Sequence, residues 1–455
     1  LDRLRRLHGL RPQPHTEPDL PEPVTRSAPP KNRRLDTLVP GMEVETEHGS
    51  CYVVTARYPL ETMRGQRCIH ELLSRTPQTL ASLYPSAALD GAADFSRIAF
   101  IDTETTGLGG GAGVYAFMVG VGTFEDERES GSDYSRSPIP SPRSPVPTHF
   151  VIRQFFMRHP GEELALLTAL AELLGDRIGL VTFNGRSFDL PLLRGRYKLN
   201  RHYLNVDAPD ALWKDGAPHL DLLHPARRLW KGRLPSCALS ALERAILAHE
   251  RGEEDVPGSL IPMLYQQFLM NGDARSMRQV FYHNLEDILS MTFLAERICR
   301  HFADPLDGED GDLHGADLLA LGQVHEQMGR AQQAERALRR ALPRLDGTER
   351  AEVYWNLGLL LKRQERWAEA AEIWQEWITT IPGPDVRPYE ELAKYCEWQI
   401  ADLDQALMWT GWALHNQQTA AGWQRSRQTI DALTHRLDRL KAKVAGQTTD
   451  HISET

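Results

Sequence analysis

The chain has 455 residues, 52 Lys and Arg against 62 Asp and Glu, and 41% hydrophobic side chains, the profile of a globular protein of about two or three domains. Its net charge of −10 sets the whole-molecule field against phosphate, so a nucleic-acid partner needs a local basic patch. The longest nearly apolar stretch, 164–174, is eleven residues broken by Thr168 and Glu172, too short for the roughly 20 residues of a spanning helix. The five cysteines (Cys51, Cys68, Cys237, Cys299, Cys396) have no C-x-x-C spacing and read as reduced thiols. The first residues lack the apolar core of a secretory leader, so the expected location is cytoplasmic, without a membrane.

Seven prolines among the first 30 residues predict a disordered tail over 1–36. Residues 37–95 read as a small annex, with short strands near Met42 and Cys51 and an apolar helix near Ile69. From Arg97 onward the apolar runs at 98–101, 114–121 and 150–157 have strand length, and 178–183 is a further buried strand. The charged and then Ser/Pro-rich stretch 125–147 predicts a disordered insertion loop. Helical spacing follows at 162–174, 188–199, 222–230, 238–248, 261–270 and 275–302. Together these predict a mixed α/β domain over 96–303.

Beyond it the chain becomes helical and repeats. Leu321-Gly322, Leu357-Gly358 and Leu392-Ala393 are spaced 36 and 35 apart, and each is followed by a small residue in a second helix, Ala334, Ala370 and Ala406. The middle copy, with Tyr354, Leu357, Gly358, Leu361, Ala370, Trp374, Trp377 and Pro382, resembles the tetratricopeptide pattern, in which small residues mark where two helices cross. This gives an all-α tetratricopeptide-like solenoid over 304–445, closed by a helix near 429–443, with a flexible tail over 446–455.

Chemistry concentrates at strand and helix ends. Asp102 and Glu104 follow the first strand two residues apart, so both project to one face. Two carboxylates so placed need a cation, and hard oxygen donors suit magnesium or manganese; taken alone, the pair serves equally as a solvated acidic turn. Asn184 and Asp189 lie beyond the strand at 178–183, and Asp287 sits in a long helix. Four such acids, Asp102, Glu104, Asp189 and Asp287, point to a centre holding two divalent cations that cleaves phosphodiesters.

These motifs resemble the DEDD exonucleases of the ribonuclease-H-like fold. Asp102-Thr103-Glu104-Thr105 matches the first motif, Asn184 with Phe188-Asp189 the second, and Asp287 the third. Together with Leu220-Asp221-Leu222-Leu223-His224, Ile261-Pro262 and Tyr282-His283-Asn284 they are similar to the bacterial YprB-type family, in which such a domain precedes tetratricopeptide repeats. The resemblance implies hydrolysis of DNA or RNA from the 3′ end, with Thr105, Asn184 and Phe188 near the substrate. The superfamily's base is a Tyr four residues, or a His five residues, before the last Asp; here the order is reversed. At about 100° per residue, His283 lies some 40° from Asp287 around the helix and Tyr282 some 140°, which favours His283 as the residue that orients or deprotonates water.

The other acids read as structural: Asp221 and Glu286 as caps or solvated groups, Glu253-Glu254-Asp255 as a solvated turn. His219-x-Asp221-x-x-His224 lacks a cysteine and reads as core, and Gly109-Gly110-Gly111 as a flexible turn. Residues 194–233 gather Arg194, Arg196, Lys198, Arg201, Lys214, Arg227, Arg228, Lys231 and Arg233, with Tyr197, Tyr203, Trp213 and Trp230 among them. They form either a track for unpaired bases or a salt-bridged surface over aromatic core residues. The reading as a whole is a 3′ to 5′ exonuclease with two Mg²⁺ or Mn²⁺ ions and a protein partner on the repeats. An endonuclease of the same fold, or a non-catalytic nucleic-acid-binding scaffold, are its rivals.

Overall fold

The computed structural model describes residues 31–81, 94–107, 113–126, 147–213, 217–303, 313–422 and 424–453. The expectations for 1–30, for 127–146 and for Gly109-Gly110-Gly111 lie outside these residues. Nine strands are formed: β1 (Met42–Thr46), β2 (Gly49–Pro59), β3 (Met63–Arg64), β4 (Arg67–Cys68), β5 (Ile98–Thr105), β6 (Ala116–Glu125), β7 (His149–Phe156), β8 (Gly179–Thr182) and β9 (His219–Asp221). Seven of them make one mixed sheet in the order β1-β2-β7-β6-β5-β8-β9, and β3 pairs with β4 alone. Within the sheet β5, β8 and β9 run parallel and the other pairs antiparallel.

The region expected as a separate annex therefore belongs to the sheet, because β2 pairs with β7 from Tyr52↔Phe156 to Pro59↔His149. The expected tail, too, gains structure before residue 37: Lys31–Arg33 is a 3₁₀ turn and α1 spans Leu35–Leu38.

α2 (Gln78–Ala81) precedes β5. The sheet is then flanked by α3 (Glu163–Leu174), α4 (Asp189–Asn200), α5 (Asp210–Trp213), α6 (Leu223–Trp230), α7 (Leu239–Ile246), α8 (Ile261–Asn271) and the 29-residue α9 (Arg275–Ala303). Alternation along β5 feeds two cores. Ile98 and Phe100 join Ile288 and Leu294 of α9, while Ala99 and Ile101 join Leu166 and Leu170 of α3. Alternate positions point to opposite faces, so a strand apolar at every position has to be covered on both sides.

The helical part comprises α10 (Gly315–Gln327), α11 (Ala331–Ala341), α12 (Gly347–Arg363), α13 (Trp367–Thr380), α14 (Arg387–Trp398), α15 (Leu403–Thr419) and α16 (Arg427–Ser453). The expected flexible tail from 446 is instead helical to Ser453. Ala334, Ala370 and Ala406 are each fully buried. A methyl group on Gly358 would stand 2.3 Å from Trp374 Nε1, and one on Gly322 2.7 Å from Leu338 Cγ. Small residues at these positions are thus required for the helices of each pair to approach.

The boundary near 303 does not interrupt the packing. One apolar cluster runs from Phe100 through Ile298 and Phe302 into Leu318, Leu338 and Trp374. Arg233 clasps Asp317 through two hydrogen bonds of 2.7 and 2.9 Å, and Phe302 stacks on His325 at 5.1 Å. Among the described residues no helix is long and apolar enough to cross a membrane.

Candidate active site

β5 and β8 are parallel neighbours, so their carboxyl ends open on the same edge of the sheet, where residues beyond parallel strands converge. β5 delivers Asp102 and Glu104 there, opposite Gly120 and Met118 of β6, and a bulge between Glu104 and Thr105 ends the regular pairing. After β8 the chain turns sharply, with Asn184 in the left-handed region at φ 64, and enters α4 at Asp189. Asn tolerates that conformation better than most residues.

Asp221, at the end of β9 and wholly buried, shapes this turn. Its carboxylate accepts hydrogen bonds from the backbone N–H groups of Asn184 (2.7 Å), Arg186 (3.1 Å) and Leu223 (3.1 Å). It thus reaches the first N–H of α6 and is not solvated. His219 on the same strand is half-buried and bonds Thr182 (3.0 Å), and burial pushes its pKa down to about 4, so it is neutral.

The third motif reaches the edge because β6 has no side chain at two alternate positions. A methyl group on Gly120 would lie 2.1 Å from Asn284 Oδ1, and one on Gly122 2.7 Å from Ile288 Cγ2. α9 therefore lies close against the sheet. Asn284, fully buried, donates to Asp102 Oδ2 (2.9 Å), while Gln154 Nε2 donates to Asn284 Oδ1 (3.0 Å) and to the Phe281 carbonyl (2.7 Å). The sequence motif contained Asn284, but its role as the partner of Asp102 was not read. The alternate glycines in an otherwise apolar strand were the available signal for close approach.

Asp102, Glu104, Asp189 and Asp287 lie near enough for their charges to act on one another. Burial, then the charges of Asp287, Asp189 and Glu104, hold the Asp102 carboxyl well above the usual range. Burial followed by Asp287 and Asp189 does the same to Glu104. Asp189 is raised to about 6 by burial, against hydrogen bonds from Thr103. Burial also raises Asp287, opposed by the Arg251 and His283 charges. Repelling hard-oxygen donors of this kind suit a divalent cation.

Among the described residues, however, no three His, Cys, Asp or Glu side chains are gathered into a set that could hold a metal ion. Asp102 is taken by Asn284, Asp189 by Thr103, and Asp287 by Arg251. The carboxylates fit a divalent ion in chemistry, while Asp102, Asp189 and Asp287 are each partnered by a protein donor.

A cleft of about 890 Å³ opens on this edge, lined by Asp102, Glu104, Thr105, Asn184, Phe188 and Asp189 and by the exposed face of α4. Phe188 is 56% exposed at its mouth. Arg194 does not line it; its Nε donates to the Leu212 carbonyl (2.5 Å). The anticipated basic track is divided. Lys198 and Arg201 line the cleft, whereas Arg233 bonds Asp317 of the repeats. Tyr197 and Trp230 are core residues, while Tyr203 and Trp213 are exposed.

His283 lies between two acids, with Nδ1 2.7 Å from Asp255 Oδ1 and Nε2 3.7 Å from Asp287 Oδ2. Asp255, which only accepts, and Arg251 Nη1, which only donates and stands 3.2 Å away, both face Nδ1; the shorter Asp255 contact has the stronger claim on a proton there, and Nε2 is turned toward Asp287. Tyr282 points elsewhere, its hydroxyl accepting from Gly252 N–H (2.9 Å). Asp255 is thus no solvated turn residue, and Glu286 is no solvated group either: it is buried and bonds Arg64 (2.7 Å) and His249 (2.8 Å). Arg251 and Asp255 were missed because their partners lie 36 and 28 residues away, with no local pattern to mark them.

Residues 146–299 match a family described as RNase_H superfamily. This stretch holds Asn184, Asp189, His283 and Asp287 but begins after Asp102 and Glu104. The chain is also similar to the uncharacterized protein YprB of Bacillus subtilis (strain 168), 29% identical over 366 residues, 78% of each chain. With the sheet order above, the α/β half is a ribonuclease-H-like domain, and it precedes a mostly helical half.

Proposed function

We propose that this protein is a divalent-metal-dependent nuclease that hydrolyses phosphodiester bonds of DNA or RNA, acting from the 3′ end. The observation that carries the reading is the clustering of Asp102, Glu104, Asp189 and Asp287, each with its pKa pushed up by burial, at the carboxyl edge of a ribonuclease-H-like sheet. These four would hold two Mg²⁺ or Mn²⁺ ions. When bound, such ions act as Lewis acids, making water a nucleophile near neutral pH and neutralising charge on the leaving oxygen.

The chain's own residues do the rest. Asn284 fixes the orientation of Asp102, and Thr103 that of Asp189. Asp255 sets the His283 ring so that Nε2 accepts the proton of the attacking water. Phe188 and Lys198 on the cleft wall offer a stacking face and a cation to the strand. The repeats are the partner-binding part in this reading, with Trp398 and Trp412 60% and 55% exposed.

A second reading, a non-catalytic nucleic-acid-binding scaffold, draws on the protein donors already bonded to Asp102, Asp189 and Asp287. One assay separates the two. Purified protein is incubated with 5′-labelled single-stranded DNA and RNA and Mg²⁺ or Mn²⁺, beside Asp102→Asn/Asp189→Asn. A ladder shortening from the 3′ end, with the parent only, is the expected result. Internal products would mean an endonuclease, and strands bound but intact would favour the scaffold.

A further inference from the structure

The loop after α7 lies along α9 as a strap. His249 bonds Glu286 (2.8 Å), Gly252 N–H donates to the Tyr282 hydroxyl (2.9 Å), and Asp255 bonds His283 (2.7 Å). At its centre Arg251, its side chain 8% exposed, is gripped by Glu243 of α7, with Nε to Oε2 at 2.8 Å and Nη2 to Oε1 at 2.6 Å. The same Nη2 bonds Asp287 Oδ1, and Nη1 stands 3.2 Å from His283 Nδ1 and 3.5 Å from Asp255 Oδ1. Asp287 and His283 are absent from the lining of the cleft that Asp102, Glu104 and Asp189 share.

We propose that Arg251 is a resident placeholder for a divalent cation, bonded to Asp287 until a metal ion displaces it. The inference rests on the metal-dependent reading of the acidic cluster. A guanidinium cannot deprotonate in the working pH range, so Asp287 offers Oδ1, and with it both oxygens, to a metal only when Arg251 releases it. Glu243 makes that release feasible. Its two-pronged bond keeps the arginine neutralised after Asp287 has gone, so the exchange leaves no unpaired buried charge. The strap thereby couples metal entry to the water-handling side of the site, because the residue that gives up Asp287 also stands beside His283 and Asp255.

The test measures Mn²⁺ binding by titration calorimetry on the full chain, without substrate. Arg251→Gln alone would strand the Glu243 carboxylate, which is 1% exposed, so the main variant is Glu243→Gln/Arg251→Gln, in which both charges are removed. Arg251→Lys, which keeps the charge but loses the fork, is the second, and circular dichroism checks that each is folded. Loss of a charge-assisted competitor is expected to tighten Mn²⁺ binding about 10- to 100-fold in the double variant, with Arg251→Lys in between. Equal or weaker binding by the double variant, abolished in Asp102→Asn/Asp189→Asn, would overturn the placeholder role and leave the metal site standing. Absence of Mn²⁺ binding in parent and variants alike would remove the metal reading and this inference with it.

Discussion

Glu104 and Asp189 in the α/β half are 8% and 7% exposed, and Glu391 and Glu397 in the helical half are 6% and 7% exposed, yet their environments act in opposite directions. The first pair is pushed up, chiefly by burial, with neighbouring acids adding to it. Glu391 is pulled down by Lys362 and Lys394. Glu397 is held at about 2 by Arg439, Lys443 and Arg436 of α16. Surface exposure is alike, so the difference lies in how deeply the carboxylates are set and in their partners. Where a carboxylate fastens helices, the fold surrounds it with cations of its own; at the sheet edge the fold leaves Glu104 and Asp189 short of them. Groups displaced in this second way gather at functional sites.

Changes at the acids of the sheet edge should have the largest effect. Asp102→Asn/Asp189→Asn is expected to lower cleavage by more than the roughly 10- to 100-fold seen on losing an outer-shell partner of a metal ligand. Asn284→Ala should fall within that 10- to 100-fold range, read as turnover at saturating strand and Mn²⁺. Gly120→Ala places a methyl group against Asn284 and should cost about 1–3 kcal/mol in urea unfolding, together with part of the activity.

Glu397→Gln should cost roughly 1–3 kcal/mol and spare cleavage, since it releases α16 from α14 while the sheet edge is untouched. Its folded pKa is depressed, so its contribution is present above about 4.5 and is lost as pH falls toward about 2. Unfolding midpoints of parent and variant should therefore converge across that window. The smallest effect is expected at His325, pushed by burial down to about 4 against Phe302. An unfolded His takes up protons that the folded one refuses. Stability should thus decline as pH falls from about 6.5 to about 4 in the parent, and His325→Leu should lack that increment.

The parts of this design written locally were legible in the sequence. Continuous apolar runs marked β5, β6, β7 and β8 because central strands are buried on both faces. The acids stood out by their place at the apolar runs' ends, although Asp102 and Glu104 prove to be the last part of β5 itself and only Asp189 lies beyond its strand, β8. β9, three residues long, gave too little pattern, and the union of β2 with β7 depends on a pairing across about 100 residues that no local signal encodes. In the site, Asp102, Glu104, Asn184, Asp189 and Asp287 could be named, whereas Arg251, Asp255 and Asp221 could not. Arg251 carried no local signal, Asp255 read as part of a solvated turn and Asp221 as a cap or solvated group, until the fold set them against Asp287, His283 and the backbone of the 184–186 turn. Of the basic stretch that could serve either as a substrate track or as a structural surface, Arg194 takes the second part, fastening α4 to the Leu212 carbonyl.

The most direct test of the claim that the sheet edge is built for a cation is urea unfolding of the metal-free parent and of Asp102→Asn, each repeated with Mn²⁺. A carboxyl raised well above its usual range destabilises the folded state at neutral pH. The amide variant should therefore be the more stable of the two without metal, and Mn²⁺ should raise the midpoint of the parent far more than that of the variant. A variant less stable than the parent, with Mn²⁺ moving neither midpoint, would contradict it.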